Sequence, residues 1–364
     1  MSEQGAANRP PGDPGLNGRS FTAAQAFLLE AKLRWTHDLF PRLRAKAEAY
    51  PEAVEGVAAI LESDPDYRIF AWLERHLQRF KYSGRYGLQV YHAAHREGLE
   101  ASLNDRGLPD GMLTLDPDLE MPRYYTSTDI HQHPGGVWSD PIAGYVYERG
   151  ARSTTPTLGA KHPDLHTRFT DQVAALMPVP PGTIFDMACG FGKSTLPFAE
   201  AYPDAEIIAM DLSEPCLRLG AHTAANAQRR NVRFVQGDAT ESGLEDESQD
   251  LVTSTMYLHE MPPNRVEKAL QESFRVLKPG GRMAHLDFYH LPDAFARFIH
   301  YGHGRRNNEP FMQPLAEMDL PTILTQIGFT DIEIEPFEES PGALAAENRS
   351  WRFPWTTISA AKPG

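Results

Sequence analysis

Cysteine is scarce in this sequence of 364 residues, which contains only Cys189 and Cys216. Two cysteines cannot build a disulfide framework, so we expect a protein of a reducing compartment, the cytoplasm. Long apolar runs are also lacking, since no segment approaches the about 20 apolar residues that a membrane-spanning helix needs. The first 20 residues contain no apolar core of a signal peptide. The sequence therefore predicts a cytoplasmic protein without a membrane partner.

Positive charge is in deficit as well. The sequence has 35 Lys and Arg against 49 Asp and Glu, which gives a formal net charge of −14. A surface of this sign repels phosphate backbones, and no stripe of interleaved basic and aromatic residues offsets the repulsion. We therefore expect no nucleic-acid partner. Hydrophobic residues make up 41% of the chain, enough to build a core.

The residue pattern divides the chain into four segments. Residues 1–20 are rich in Gly, Pro and Asn and predict a disordered tail. Residues 21–123 predict a helical N-terminal domain, because apolar residues recur there at three- and four-residue spacing. Residues 124–160 carry many Pro, Gly, Asp and Thr, and we interpret them as a lid or connector. Residues 161–364 predict a second domain, with an irregular insert at 289–314.

The N-terminal segment shows no strand pattern. We predict that Pro41 breaks or restarts its first helix, because proline removes a backbone donor. Further helices are predicted at 43–61, 67–80 and 88–103. A homodimer formed through these helices is an expectation for this segment.

The second domain alternates between helix and strand patterns. This alternation predicts an α/β fold, a doubly wound, Rossmann-like and mostly parallel sheet. The last two predicted strands have no helix between them, which favours a C-terminal antiparallel hairpin. The strands are predicted at 183–187, 205–210, 232–236, 251–256, 282–288, 332–337 and 355–360, and the helices at 194–201, 214–229, 264–276 and 315–327.

The stretch IFDMACGFGKST, residues 184–195, contains the strongest local signal. Gly190 and Gly192 follow a predicted strand, where missing side chains let the backbone approach a ligand. A dinucleotide-binding loop would carry a third glycine at position 195, but this chain has Thr195. Acids end the next two predicted strands, at Asp211 and Asp238. Carboxyl ends of parallel strands meet at one edge, so these groups predict a single ligand site.

The motifs DMACGFG, MDLSE, VQGDAT and RVLKPGG occur in this order. The series resembles the class I S-adenosylmethionine-dependent methyltransferases, in particular the branch that is similar to the ubiquinone and menaquinone C-methyltransferases. The resemblance covers residues 165–290. Ala188 departs from the pattern, since the family usually has a glycine there, and we expect it to narrow the pocket without closing it.

The resemblance implies S-adenosyl-L-methionine as the cofactor. It implies that Asp186 orients the loop and the methionine amino group, that Asp211 binds the ribose, and that Asp238 reads the adenine edge. Tyr145 or Tyr147 is expected to pack over the cofactor. The implied cofactor-binding set is Asp186, Ala188, Gly190, Gly192, Asp211, Leu212, Asp238, Ala239, Met256 and Tyr145.

Methyl transfer is an in-line displacement, which needs a positioned acceptor, exclusion of water and, for some acceptors, a base. Histidine is the natural base near neutral pH, and His259 follows the fourth strand of the second domain. We predict His259 and Tyr257 as catalytic residues, with Glu260 a further candidate after the same strand. The predicted substrate-binding residues are His131, His133, Trp138, His290, Asn308 and Glu309. The expected acceptor is a small, polar metabolite, with methylation of oxygen, carbon, nitrogen and sulfur left open.

Several alternatives remain open at this level. Asp129, His131 and His133 alternate in sequence and could hold a metal, bind substrate from a lid, or occupy a surface turn. No CxxC motif accompanies them, so we expect no metal. His285 is predicted to be a packed core histidine. A nicotinamide-dependent oxidoreductase, or a non-catalytic cofactor-binding protein of the same fold, are the rival functions.

Overall fold

A computed structural model describes Gly12 and residues 18–47, 53–104, 107–154, 165–345 and 347–364. Most of the predicted tail, residues 155–160 of the predicted lid, and part of the predicted helix 43–61 lie outside the described residues. In the described part of the chain, no helix combines the length and the apolar character needed to cross a membrane.

The N-terminal segment is mainly helical, as its spacing of apolar residues predicts. Tyr67, Phe70 and Leu77 are buried at helical spacing along its longest helix, α4. The predicted helix 88–103 is divided into α5 and α6. The described helices are α1 (Arg19–Arg34), α2 (Phe40–Ala47), α3 (Val54–Leu61), α4 (Pro65–Tyr82), α5 (Leu88–Ala93) and α6 (Arg96–Ser102).

Pro41 does not break the first helix, contrary to the prediction. A π-helical turn, Trp35–Leu39, precedes it, and the Phe40 N–H donates to the Trp35 carbonyl five residues back. The wider π-helical turn accommodates Pro41, which has no backbone N–H to donate, so the helix continues directly into α2.

Eight strands form one sheet in the order β1-β4-β3-β2-β5-β6-β8-β7. The six strands from β1 to β6 pair in parallel, and β8 pairs antiparallel with both β6 and β7. The predicted Rossmann-like sheet and its antiparallel C-terminal strands are thus confirmed. The strands are β1 (Leu113–Thr114), β2 (Thr183–Met187), β3 (Glu206–Asp211), β4 (Val232–Gln236), β5 (Gln249–Thr255), β6 (Leu277–Phe288), β7 (Thr330–Pro336) and β8 (Trp355–Ala361).

Helices cover both faces of the sheet. Ile184 of β2 packs into one apolar cluster, whereas its neighbours Phe185 and Met187 pack into another. Successive residues of a strand point to opposite faces, so β2 is buried on both sides. The helices that follow the first segment are α7 (Arg123–Thr126), α8 (Ala143–Thr154), α9 (Leu165–Leu176), α10 (Thr195–Ala201), α11 (Glu214–Asn226), α12 (Pro263–Val276), α13 (Ala294–Asn307), α14 (Met312–Ala316) and α15 (Leu320–Ile327).

Two predictions about irregular segments are wrong. Strand β1 lies in the segment predicted to be all helical, and it pairs with β4 at the sheet edge. A strand of two residues is too short to show an alternating pattern in the sequence. The insert 289–314 contains the 14-residue helix α13, which Asp293 caps by accepting a hydrogen bond from the Ala296 N–H.

The insert and the N-terminal helices share one apolar core. Phe295, Phe298 and Ile299 of α13 pack with Trp35 and Phe70. This contact fixes α4 over the carboxyl ends of the strands. Large apolar side chains stay exposed on the outer surface of α1 and α4, and homodimerisation through these helices remains a prediction. They are Phe27, Ile69, Trp72 and Phe80.

Candidate active site

A cavity of about 1050 Å³ opens at the carboxyl ends of β2, β3, β4 and β5. It lies where the strand order reverses between β2 and β5, which is the usual ligand site of a doubly wound sheet. Eleven predicted site residues line it: Ala188, Gly190, Asp211, Leu212, Asp238, Ala239, Met256, Tyr257, His259, His131 and Glu309.

The loop after β2 follows a left-handed path. Ala188 has φ 54° and Gly190 has φ 53°, values that suit glycine and strain alanine. A Cβ added to Gly190 would meet no atom within 4 Å, so its Cα side is open. Gly192 differs, because a Cβ there would lie 3.0 Å from the Phe234 ring. Gly192 is outside the cavity wall and serves packing against β4.

Asp186 lies behind this loop and is 1% exposed. The hydroxyls of Thr195 and Ser194 donate to its Oδ2 at 2.6 and 3.3 Å. Its Oδ1 is buried without a hydrogen-bond donor among the described residues. Burial raises the pKa of Asp186 to about 7, against the effect of the two hydroxyls. Thr195, which stands where a dinucleotide-binding loop has its third glycine, therefore holds the Asp186 carboxyl group in place.

Asp211 and Asp238 organise the next two strand ends. Asp211 accepts hydrogen bonds from the N–H groups of Gly190 and Ser213, both at 2.8 Å. Asp238 accepts from Thr240 at 2.9 Å and from Arg265 at 2.7 Å. Burial raises the pKa of Asp211, which its hydrogen bonds partly oppose. The Gly190 contact joins the glycine loop to β3, so both move as one unit.

His259 is tied to β6. It is 1% exposed, and its Nδ1 donates to Asp287 Oδ1 at 2.6 Å. Burial alone would lower the pKa of His259, but the charge and hydrogen bond of Asp287, together with Glu260, raise it well above its ordinary value. His259 therefore carries a proton on both nitrogens at neutral pH. The contact with Asp287 thus favours the charged form of His259, and the role of His259 as base remains a prediction.

Glu260 and Glu309 are bridged by His131. His131 Nε2 lies 3.1 Å from Glu260 Oε1, and its Nδ1 lies 3.0 Å from Glu309 Oε1. The His259 Nε2 lies 3.5 Å from the same Glu260 oxygen. His131 has φ 55°, a left-handed conformation that the paired contacts stabilise. Within the described residues no donor reaches Glu260 Oε2, which leaves that oxygen available to a ligand.

The bridge links stability to pH. Burial alone would lower the pKa of His131, whereas Glu309 and Glu260 raise it to about 9, above the ordinary value of about 6.5. A raised pKa gives stability that is complete below about pH 6.5 and is lost as the pH rises through about 9. We expect the difference in free energy of unfolding between wild type and His131→Gln to fall by about 3 kcal/mol over that range. Urea denaturation at both pH values measures it, and a constant difference would contradict the bridge.

Sequence reasoning missed the contribution of α4. Glu74, Lys81 and Tyr82 line the cavity and are buried. Glu74 accepts from His303 Nδ1 at 2.7 Å and pairs with Arg306, both of α13. Two charged residues at buried positions of an amphipathic helix were a signal that could have identified this wall. An aromatic wall was missed as well: Phe288, Trp351, Phe353 and Trp355.

Seven predicted ligand-binding residues lie off the cavity wall, and one of them is Asp186 behind the glycine loop. Besides Gly192, Tyr145 turns away, and its hydroxyl lies 2.7 Å from Ser102 Oγ, so Tyr147 is the tyrosine that faces the cavity. His133 packs on Tyr82, with ring centres 4.8 Å apart. Trp138 packs against Gly136, and His290 is exposed. Asn308 donates a hydrogen bond to the Asp129 carbonyl at 3.1 Å.

The side chains of Asp129, His131 and His133, considered above as metal ligands, do not point to one common site. Asp129 Oδ1 accepts from the Gly135 N–H at 3.1 Å, while His131 and His133 face different partners. Across the described ranges, no three His, Cys, Asp or Glu side chains are arranged to hold a metal ion. His285 is a buried core histidine, as predicted, with its Nδ1 2.7 Å from Ser254 Oγ.

Comparison with known proteins agrees with this geometry. Residues 184–281 match the family described as "Methyltransferase domain". A demethylmenaquinone methyltransferase of Listeria monocytogenes is 34% identical over 125 residues, which are 34% of this chain and 52% of that protein. The enzyme of the same name from Thermobifida fusca is 38% identical over 109 residues, 30% of this chain and 44% of that protein.

The chain thus spans about half the length of these curated relatives. A putative methyltransferase structure from Bacillus halodurans is 22% identical, covers 54% of this chain and 99% of its own, and gives a TM-score of 0.44. The resemblance to the class I methyltransferases is thus supported over residues 184–281, which match the family model described as a methyltransferase domain.

Proposed function

We propose that this protein is an S-adenosylmethionine-dependent methyltransferase that acts on a small, polar acceptor. The observation that carries the proposal is one continuous cavity with two unlike ends. The glycine loop, Asp211 and Asp238 form one end, and Glu260, His131 and Glu309 form the other. A volume of about 1050 Å³ is sufficient for a cofactor and a second small molecule.

The first end fits the cofactor. Asp186 Oδ1 is buried and lacks a donor among the described residues, which suits the cofactor's amino group. Gly190 leaves open space where a side chain would stand. Asp211 would bind the ribose hydroxyls, and Asp238 and Leu212 would contact the adenine. The cofactor supplies an electrophilic methyl group when it is bound.

The second end fits an acceptor that loses a proton. Burial alone would raise the pKa of Glu260, but His131 and His259 lower it below its usual range. The carboxylate therefore stays unprotonated at neutral pH, and its Oε2 is available. Because its lowered pKa makes Glu260 a weak base, the acceptor that it serves must itself be acidic. We assign the role of accepting that proton to Glu260, with His259 and His131 as positioning residues that fix Oε1. The aromatic wall excludes water from this end.

Transfer of label tests the function directly. Wild-type protein is incubated with S-adenosylmethionine that carries a tritiated methyl group and with a fractionated extract of small metabolites. We expect tritium in a product fraction together with S-adenosylhomocysteine. Tritium confined to the cofactor, in a protein that binds S-adenosylhomocysteine, would instead support the non-catalytic alternative.

A further inference from the structure

Helix α4 brings an amine without an anionic partner to the cavity. Lys81 lines the wall and is 3% exposed. Among the described residues its Nζ has no hydrogen bond or ion pair, and it lies 4.5 Å from the centre of the Tyr82 ring. A buried ammonium without a counter-charge is unfavourable. The position therefore suits a partner that the described chain does not supply.

A second lysine lines the same cavity from α1. Lys32 is half-buried and likewise has no hydrogen bond or ion pair within the described part of the chain. Burial lowers the pKa of Lys81 well below its ordinary value, and the charge of Lys32 lowers it further. Burial lowers the pKa of Lys32 to about 8. A bound anion would stabilise the charged forms of both amines.

The carboxylates of this corner are already paired. Glu309 Oε1 lies 3.0 Å from His131 Nδ1 and 3.7 Å from His303 Nε2, and Glu74 is paired with His303 and Arg306. Two further titratable neighbours, Tyr82 and His133, favour their uncharged forms. Burial raises the pKa of Tyr82, and burial together with nearby cations lowers that of His133 to about 4. The carboxylates of this corner thus contact histidine and arginine side chains, and in the described part of the chain none of them pairs with Lys81 or Lys32.

We propose that the methyl acceptor carries an anionic group, a carboxylate or a phosphate, that binds Lys81 with Lys32 as the second cation. The inference rests on the proposed function, because it concerns the acceptor of that reaction. Charge-assisted hydrogen bonds to the two amines would hold this group against helices α4 and α1. The reacting group of the acceptor would then lie toward Glu260.

Competitive acetylation of the full chain tests the anion site. The protein is saturated with S-adenosylhomocysteine and treated with trace acetic anhydride, and each lysine is quantified by mass spectrometry. Inorganic phosphate and propionate are titrated separately at constant ionic strength, with tetramethylammonium as the cation control. Lys46 and Lys268, which are paired on the surface with Asp64 and Glu241, serve as internal references.

We expect one of the two anions to protect Lys81 and not the references. At about four times its Kd the anion should slow acetylation of Lys81 about fivefold, because only the unbound fraction reacts. Protection by phosphate or by propionate identifies the anionic group. In Lys32→Met, about tenfold more anion should be needed for the same protection.

Two results would overturn the anion site: acetylation of Lys81 unchanged by both anions, or protection by tetramethylammonium. Calorimetric titration of the ligand-free protein with S-adenosylhomocysteine separates failure of the anion site from failure of the proposed function. Binding of that ligand without anion protection contradicts the anion site alone. Absence of binding contradicts the proposed function.

Discussion

Replacement of Asp287 by alanine is expected to lower the free energy of unfolding by about 3–5 kcal/mol, the range for breaking a buried ion pair. Asp287 is fully buried and accepts four hydrogen bonds. The donors are the N–H groups of Tyr257 at 2.9 Å, Leu258 at 2.7 Å and Phe288 at 2.7 Å, and His259 Nδ1 at 2.6 Å. Alanine would leave the His259 imidazolium buried without its counter-charge. Urea denaturation near pH 7 measures the loss.

Asp319→Ala provides a matched control. Asp319 also accepts a backbone hydrogen bond, from Thr322 at 3.2 Å at the start of α15, but it is exposed. Loss of this exposed helix cap should lower the free energy of unfolding by less than loss of the buried Asp287 carboxylate does. An equal loss in the two variants would show that the His259–Asp287 pair contributes little beyond a cap.

Glu260→Gln is expected to lower the turnover number by roughly 10²–10⁴-fold, the usual contribution of a positioned acid–base group. Glutamine keeps the size of the side chain but cannot accept the acceptor's proton. The Kd for S-adenosylhomocysteine should stay within about twofold of wild type, because Glu260 lies at the acceptor end. Release of S-adenosylhomocysteine with the acceptor found by label transfer measures turnover.

His259→Gln distinguishes a positioning role of His259 from a role as the base. If His259 positions Glu260, its replacement should lower turnover less than Glu260→Gln does. The reverse order, with His259→Gln the more damaging change, would return the role of base to His259. Equal turnover in wild type and Glu260→Gln would remove Glu260 from the mechanism.

The cofactor end could be predicted from local sequence because its residues follow directly on strands. Parallel strands bring Gly190, Asp211 and Asp238 to one edge whatever the rest of the chain does. The pairing of His259 with Asp287 depends on register. Thr255 of β5 pairs with Leu286 of β6, so the next residue of β6 meets the turn after β5. The sequence pattern identified His259 as a candidate but did not contain this register.

The acceptor end was harder to predict because distant segments build it. Glu74 and Lys81 lie more than 100 residues before the glycine loop, and α13 brings them to the cavity through a shared apolar core. The charged residues at buried positions of α4 are a local signal, but the packing of α4 against α13 is not contained in either local sequence. His133 and Asn308 failed as ligand residues for the same reason, since neighbouring backbone and Tyr82 decide where they point.

The most direct test of the central claim is calorimetric titration of the wild-type protein with S-adenosylhomocysteine, with NADH as the control ligand. We predict micromolar binding of S-adenosylhomocysteine alone. In Asp211→Ala this binding should weaken by about 1–3 kcal/mol, the cost of lost charge-assisted hydrogen bonds. Binding of NADH without S-adenosylhomocysteine would contradict the account and favour an oxidoreductase.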